Sequence, residues 1–357
     1  MPPSTRANGT ASNERRTRRA SAAALAAALL FGSGAPVAKA LLGAADPQVL
    51  AGLLYLGSGI ALGGVRLLRR GTAWTPAPRD ATWLASAIVL GGVVAPLLLL
   101  EGLSRTTASS ASLVLVLEAP LTALFARLFF GEHLGERTLQ ALVVITLGAV
   151  ATVTLEDAAV DPLGLAAVAL ASACWALDNN FTREVAHGDA VAIAALKGLV
   201  GGAVNVAIAL RLDASWPSSG TVIAAGVVGA LSYGASLTLY IVSLRGLGTS
   251  RAGAYFATAP FIGAITAVCV LSEPVSPRLG LAAALMAVGV WRLLGESHGH
   301  RHPHETIEHF HAHVHDEHHR HAHAAGEIGG SHAHWHRHEA LDHDHPHAPD
   351  VHHRHGH

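Results

Sequence analysis

Glu118 lies deep in an uninterrupted apolar run, two residues before Pro120. A charge at the centre of a membrane span costs about 2.5–3.5 kcal/mol on insertion scales, so it needs a reason, and a substrate or ion path is the default one. Pro120 strengthens that reading, because it removes a backbone donor and frees a carbonyl, and broken helices at mid-depth are where transporters present backbone to a solute. The bland alternative is that Glu118 pairs with a cation for packing alone and Pro120 is a tolerated kink. Asp178, Asn179 and Asn180 form a second polar group inside an apolar run. At about 100° per residue they spread around a helix, so at least one faces protein or a wet cavity. Lys197, inside a further run, is the counter-charge expected to pair with Glu118 or Asp178. Lys39 and Arg183 lie near run ends, where snorkelling to the surface is expected. Glu101 also sits near a run end, within reach of the outer interface.

A different chemistry occupies the last sixty residues, which hold 23 of the 25 His. His298, His300, His302 and His304 alternate with other residues, as do His309, His311, His313 and His315, then His332, His334, His336 and His338, then His343, His345 and His347. Imidazole is a ready ligand for zinc, nickel, cobalt and copper. Alternate residues of an extended chain project to one side, so two or three can turn onto one ion without a prebuilt fold. The density points to divalent metal and says nothing of which one. Three other readings compete: an expression tag, disfavoured by the interleaved Asp, Glu, Pro and Trp335; a pH sensor, since the tail would move from −5 with neutral His to +18 with all protonated; and a merely solvating tail, kept unfolded by low hydrophobicity.

The elements that must position these residues follow from an internal repeat. Leu103 to Glu132 and Leu244 to Glu273 share one plan: an Arg (Arg105, Arg245), a small-residue run, an apolar segment, Ala-Pro (Ala119-Pro120, Ala259-Pro260) and a closing Glu. Thr258 therefore stands where Glu118 stands, and Pro260 where Pro120 stands. Phe31 to Lys39 aligns with Trp175 to Arg183, Asp46 with Asp189, and Gly59 with Gly202. A long internal period fixes the architecture before any local reading, and here it divides the chain into two similar halves.

Hydrophobic residues make up 51% of the chain and charged residues 14%, with a mean hydropathy of +0.39 despite the polar tail. The remainder is too apolar for a soluble domain. No basic fold suited to nucleic acid remains between the Arg-rich start and the tail. Cys174 and Cys269 lie inside apolar runs with no metal-knuckle or disulfide spacing and receive no role. Apolar runs long enough for a core that needs roughly 17–25 helical residues fall at 21–42, 47–68, 82–103, 107–130, 138–155, 163–186, 189–211, 221–244, 250–272 and 278–295. The first resembles a signal peptide with Ala38-Lys39-Ala40 as its cleavage site, but its match to a mid-chain segment argues against removal. Inside loops carrying Arg66, Arg69, Arg70 and Arg79, then Arg137, Arg183, Arg245 and Arg251 place both termini in the cytoplasm. The expected fold is thus an all-α membrane protein of ten transmembrane helices. A disordered cytoplasmic lead over 1–20 precedes five-helix repeats over 21–155 and 163–295, and a disordered His-rich tail over 296–357 follows. Five spans being odd, the second repeat is inverted relative to the first, the arrangement that lets one central site face either side in turn.

The two five-helix halves, the Ala-Pro and Glu pattern of the fourth and ninth spans, and the FGS…K start of the first resemble the EamA-type transporters of the drug/metabolite transporter superfamily, over roughly residues 21 to 295. The resemblance implies a secondary transporter of small metabolites, amino acids, drugs or nucleotide sugars. Glu132 and Glu273 match the family's Glu, and their span-end position favours a cap or an interfacial ion pair. Gly59 with Gly63 and Gly198 with Gly202 have the small-xxx-small spacing of close helix approach, a structural signal. The expected solute path runs between the fourth and ninth spans, through Glu118, Pro120, Asp178, Asn179, Lys197, Thr258 and Pro260. A small organic solute moved across the inner membrane, with Glu118 as the proton-coupling group and a metal-binding tail, is the leading expectation. Transport of a divalent metal ion is the alternative, and a membrane-anchored metal sensor or store is a third reading. No cofactor is required beyond tail-bound metal; lipid and the solute are the partners, with a homodimer left open. No nucleophile–base pair, phosphate loop or fixed metal motif in the spans suggests an enzyme.

Overall fold

The computed structural model describes residues 5–68, 78–131, 136–153, 161–185, 189–247, 252, 255–294, 298–304, 307–313, 332–338 and 341–347, with backbone alone beyond Arg292. Up to Leu294 the described residues are mostly helical, in ten main segments: α1 (Thr5–Gly32 and, after Ser33, Gly34–Leu42), α2 (Pro47–Leu68), α3 (Ala81–Arg105), α4 (Ala108–Phe130), α5 (Glu136–Val153), α6 (Pro162–Glu184), α7 (Ala190–Arg211), α8 (Ser219–Ser243), α9 (Ala259–Leu271) and α10 (Pro277–Leu294). Seven of them, α1 to α4 and α6 to α8, are each long and apolar enough to cross a membrane, and the protein is a multi-pass membrane protein. The ninth run, expected over 250–272, is one continuous helix only over Ala259–Leu271; 250, 251, 253 and 254 lie outside the described residues, as does Glu132.

The helix starts are written in the chain. Asp161 accepts from the Leu163 amide and Pro162 opens α6 at a position where no backbone donor is needed. Asp46 and Asp189, aligned by the repeat, play one role twice: Asp46 accepts from Gln48 N at the start of α2, and Asp189 from Val191 N at the start of α7. Gly131, at φ 68°, closes α4 in the left-handed region.

Packing carries the repeat as well. The midline pairs are α2 with α7, α4 with α9, and α5 with α10; α1 packs on α8 as α6 packs on α3. At the α2–α7 crossing a Cβ on Gly59 would lie 2.4 Å from Leu199 N and one on Gly198 2.7 Å from Gly59 N, so backbones meet where the small-residue spacing expected it. Gly202 is equally close to α2, whereas Gly63 faces open space. Both α3 and α8 contain a π-helical turn at equivalent positions, Ile88–Val94 and Ala230–Ala235. Such turns widen the helix and leave carbonyls for side chains to satisfy.

Residues Ser297–Asp350 form a separate unit. Among its described residues the backbone runs in four strands, β1 (His298–His304), β2 (Ile307–His313), β3 (His332–His338) and β4 (Leu341–His347). They pair antiparallel, β1 with β4 and β2 with β3. Strict alternation is itself a period-two pattern, which suits an extended chain better than low hydrophobicity alone suggests.

Candidate functional site

A cavity of about 360 Å³ opens between the halves. From the first half come Phe31, Gly32 and Ala35 of α1, Leu99 of α3, and Ser112, Leu115, Val116, Glu118, Ala119 and Thr122 of α4. The second half supplies Trp175 and Asn179 of α6, Tyr233 of α8, Phe256 and Ala257 ahead of α9, Ala259 and Pro260 of α9, and Val290 of α10.

Glu118 reaches this cavity because α4 is broken where the sequence says it should be. Residues Leu115–Leu117 form a tight 3₁₀ turn and α-helix resumes at Glu118. Pro120, with no N–H, fits the first turn of the resumed segment. In the second half, Thr258 precedes the start of α9 without a side-chain cap, and Pro260 lies in its first turn. Asn179 Nδ2 donates to Glu118 Oε1 at 2.9 Å, and Thr122 Oγ1 donates to the Glu118 carbonyl at 2.8 Å. Among the described residues Glu118 has no cationic partner within ion-pair distance, and Oε2 has no hydrogen-bond donor.

Lys197 is committed elsewhere. Its Nζ lies 2.6 Å from both oxygens of Asp178 and donates to Thr182 Oγ1 at 3.2 Å, while Thr182 Oγ1 donates to Asp178 Oδ1 at 2.9 Å. Asp178 is 4% exposed and lies against Gly91 of the α3 π turn, where a Cβ would come within 1.9 Å of Oδ2. The carbonyls freed in that turn have side-chain donors: Tyr55 Oη and Trp175 Nε1 donate to Gly91 O at 2.7 and 3.1 Å. Asn205 Nδ2 donates to Gly92 O at 3.2 Å, and Gln48 Nε2 to Asn205 Oδ1 at 2.7 Å.

The three consecutive polar residues of α6 do spread around the helix. Asp178 turns to α7, Asn179 to Glu118, and Asn180 Nδ2 donates to the Thr122 carbonyl at 3.0 Å. Of the expected path, Glu118, Asn179 and Pro260 line the cavity; Pro120, Asp178, Lys197 and Thr258 do not. Thr258 is exposed and donates to the Tyr255 carbonyl at 2.6 Å. Lys39 does not snorkel: it is half-buried, donates to the Thr106 carbonyl and lies 3.9 Å from Glu273 Oε1. Glu273 caps α4, accepting from Ala108 N at 2.7 Å and Ser109 N at 2.9 Å. Arg183 lies over Phe130 and 3.6 Å from Glu184, and Glu101 pairs with Arg105 at 4.0 Å. The metal-ligand His of the tail have no described side chains, and His315 lies outside the described residues altogether. Sequence reasoning missed Ser112, Tyr55, Tyr233, Phe256, Gln48 and Asn205; the aligned aromatics Phe31 and Trp175 were the one signal that pointed to an aromatic wall.

Known proteins match this arrangement. The EamA-like transporter family matches twice, over residues 18–154 and 162–295, one match per half. An uncharacterized transporter of Methanothermobacter thermautotrophicus is 32% identical over 289 residues, covering 75% of this chain and 84% of that protein. A protein of known crystal structure superposes with a TM-score of 0.58 at 21% identity, over 77% of this chain and 96% of its own, which is likeness of fold.

Proposed function

From the premise that this chain belongs to the EamA-like transporter family, we propose a secondary transporter that carries a small organic solute across the inner membrane by alternating access. The ten helices are its spans, arranged as two inverted repeats, with both termini in the cytoplasm and Glu118 as the group that carries substrate or proton charge. One observation carries this reading: a single cavity is walled by both halves and holds an intramembrane carboxylate with no cationic partner among the described residues. The exchange of packing partners between halves, α1 with α8 and α6 with α3, supports a two-fold relation between them, and an odd number of spans per half makes that relation an inversion.

The donor set favours an organic solute over a metal ion. One carboxylate, one amide and a few hydroxyls amid aromatic and aliphatic walls make a sparse site for a divalent cation. Metal belongs to the cytoplasmic tail in this reading, as a bound divalent ion that regulates or buffers. The strand register supports it: His298 stands opposite His347, His300 opposite His345 and His302 opposite His343, and His309, His311 and His313 opposite His336, His334 and His332. Directly opposed positions of an antiparallel ladder are about 4.5–5.5 Å apart at Cβ, a spacing from which two imidazoles can share one ion.

Alternating access is tested with a single cysteine at the cavity wall. In a Cys174→Ser, Cys269→Ser background, Ala119→Cys should react with a membrane-impermeant maleimide added to either face of sealed vesicles. Labelling from one face alone, under every substrate and pH gradient applied, would sink the reading.

A further inference from the structure

The geometry points to a protonated organic amine with an apolar body as the solute of this cavity, an inference that rests on the transport reading above. Three features of the wall carry it.

The first is charge. Glu118 is the acidic residue of the wall, and among the described residues the wall contains no Lys or Arg. The nearby cation, Lys197, is held by both oxygens of Asp178, and Lys39 is bonded to the Thr106 carbonyl beside Glu273. A carboxylate in this setting is completed by a cation that arrives with the solute. The same fact disfavours anions and zwitterions, whose carboxylates would meet Glu118 with no positive group to receive them.

The second is the aromatic wall. Phe31 meets Phe256 with ring centroids 5.2 Å apart and Tyr233 edge-on at 6.0 Å. Trp175 joins them on the wall, its indole N–H tied to Tyr55 Oη and Gly91 O. Aromatic faces attract cations and take apolar bodies equally well, so they accept both ends of an amine. A metal ion brings no apolar body to such a wall, and an uncharged sugar brings no cation.

The third is Ser112. It is 1% exposed, it lines the cavity, and its Oγ has no hydrogen-bond partner among the described residues. A buried hydroxyl left without a partner is costly unless something completes it. A solute N–H, or a polar group at the far end of the solute, supplies what is missing.

The test compares shape-matched probes that differ in charge: 4-phenylbutylamine, 4-phenylbutanol, 4-phenylbutyrate and phenylalanine. Binding to the full-length protein in lipid nanodiscs is read by calorimetry, and exchange of each labelled probe is read in proteoliposomes. The amine should bind about tenfold or more tighter than the alcohol, and tighter still than the anion. Glu118→Gln, checked for an unchanged elution profile, should erase the preference for amine over alcohol while leaving the alcohol where it was. Phe256→Leu should weaken the amine by about three- to tenfold. Equal binding of amine and alcohol, tighter binding of butyrate or phenylalanine, or binding of no probe would each overturn the amine assignment. If phenylalanine is exchanged in a Glu118-dependent way, transport stands and the amine falls. If the amine binds with Glu118 dependence yet is never exchanged, the amine assignment stands and transport falls.

Discussion

Substituting Lys197 by Met tests whether the charges inside this helix bundle are coupled as drawn. Asp178 is 4% exposed, and its two oxygens each lie 2.6 Å from Lys197 Nζ. Its other hydrogen-bond partner is Thr182 Oγ1, at 2.9 Å. Lys197→Met thus leaves a buried carboxylate with one neutral donor, and breaking one side of a buried pair costs about 3–5 kcal/mol. At roughly 2 °C per kcal/mol for a chain of this size, melting should fall by about 6–10 °C. Asp178→Asn in the wild-type background should cost a similar amount, since it strands the ammonium. The double variant Asp178→Asn, Lys197→Met carries no stranded charge and keeps the Thr182 contact, so it should recover to within about 1–2 kcal/mol of wild type. The assay is thermal unfolding in one detergent, followed by loss of the monodisperse elution peak and by tryptophan emission. Two results refute the reasoning: single variants that melt within about 1 °C of wild type, or a double variant whose loss is the sum of the singles.

Gly198→Ala should destabilise by about 1–3 kcal/mol, because its Cβ would lie 2.7 Å from Gly59 N and 2.9 Å from Tyr55 O. Gly63→Ala, with nothing within 4 Å, is the control and should stay within about 0.5 kcal/mol by the same melt. A chain ending at Ser297 should lose high-stoichiometry binding of zinc or nickel in equilibrium dialysis while exchanging solute in proteoliposomes at the full-length rate. Unchanged metal stoichiometry would remove the metal role of the tail, and unchanged cellular metal content in Glu118→Gln would separate that role from transport.

The seven long apolar helices, the break before Glu118 and the repeat were legible because each leaves a mark in residue type: apolar length, a proline, a duplicated Ala-Pro. The π turns of α3 and α8 leave none, since one extra residue per turn inside Ile88–Val94 or Ala230–Ala235 changes hydrogen-bond spacing without demanding any particular side chain. Their partners were hidden for a related reason. In helices apolar all round, periodicity does not say which face is inward, so Tyr55, Asn205 and Gln48 read as isolated polar residues until packing brought them to the freed carbonyls. Sequence also left Lys197 equally available to Glu118 and Asp178; the choice was made by the π turn of α3, which packs on both α6 and α7 and where Gly91 makes room for the Asp178 carboxylate. Lys39 was misread because proximity to a run end suggests surface, whereas the loop start of α4 brings Thr106 and Glu273 to it.

The repeat is symmetric in backbone and unequal in chemistry, and the inequality has a consequence for how a solute is held. In the alignment of Phe31–Lys39 with Trp175–Arg183, Asp178 falls on Gly34, Asn179 on Ala35 and Thr182 on Ala38. Both contacts to the π turns persist with sizes exchanged: Asp178 of α6 lies against Gly91 of α3, and Gly34 of α1 lies against Ser232 of α8, where a Cβ would come within 2.9 Å. Glu118 likewise falls on Thr258, which turns its hydroxyl back to the Tyr255 carbonyl. Of the residues lining the cavity, the carboxylate of Glu118 and the amide of Asn179 therefore sit on the α4–α6 side, and the α1–α9 side keeps Ala35, Phe31 and Pro260. An inverted pair of halves can present one cavity to either face of the membrane, but only one wall of that cavity holds charge. On the proposed transport reading, a solute that binds Glu118 would keep its charged end on α4 and α6 in both orientations of the protein, while its apolar end slides along α1 and α9. The unequal residues would then fix the orientation of the solute, and the equal backbones would leave the direction of access free to alternate.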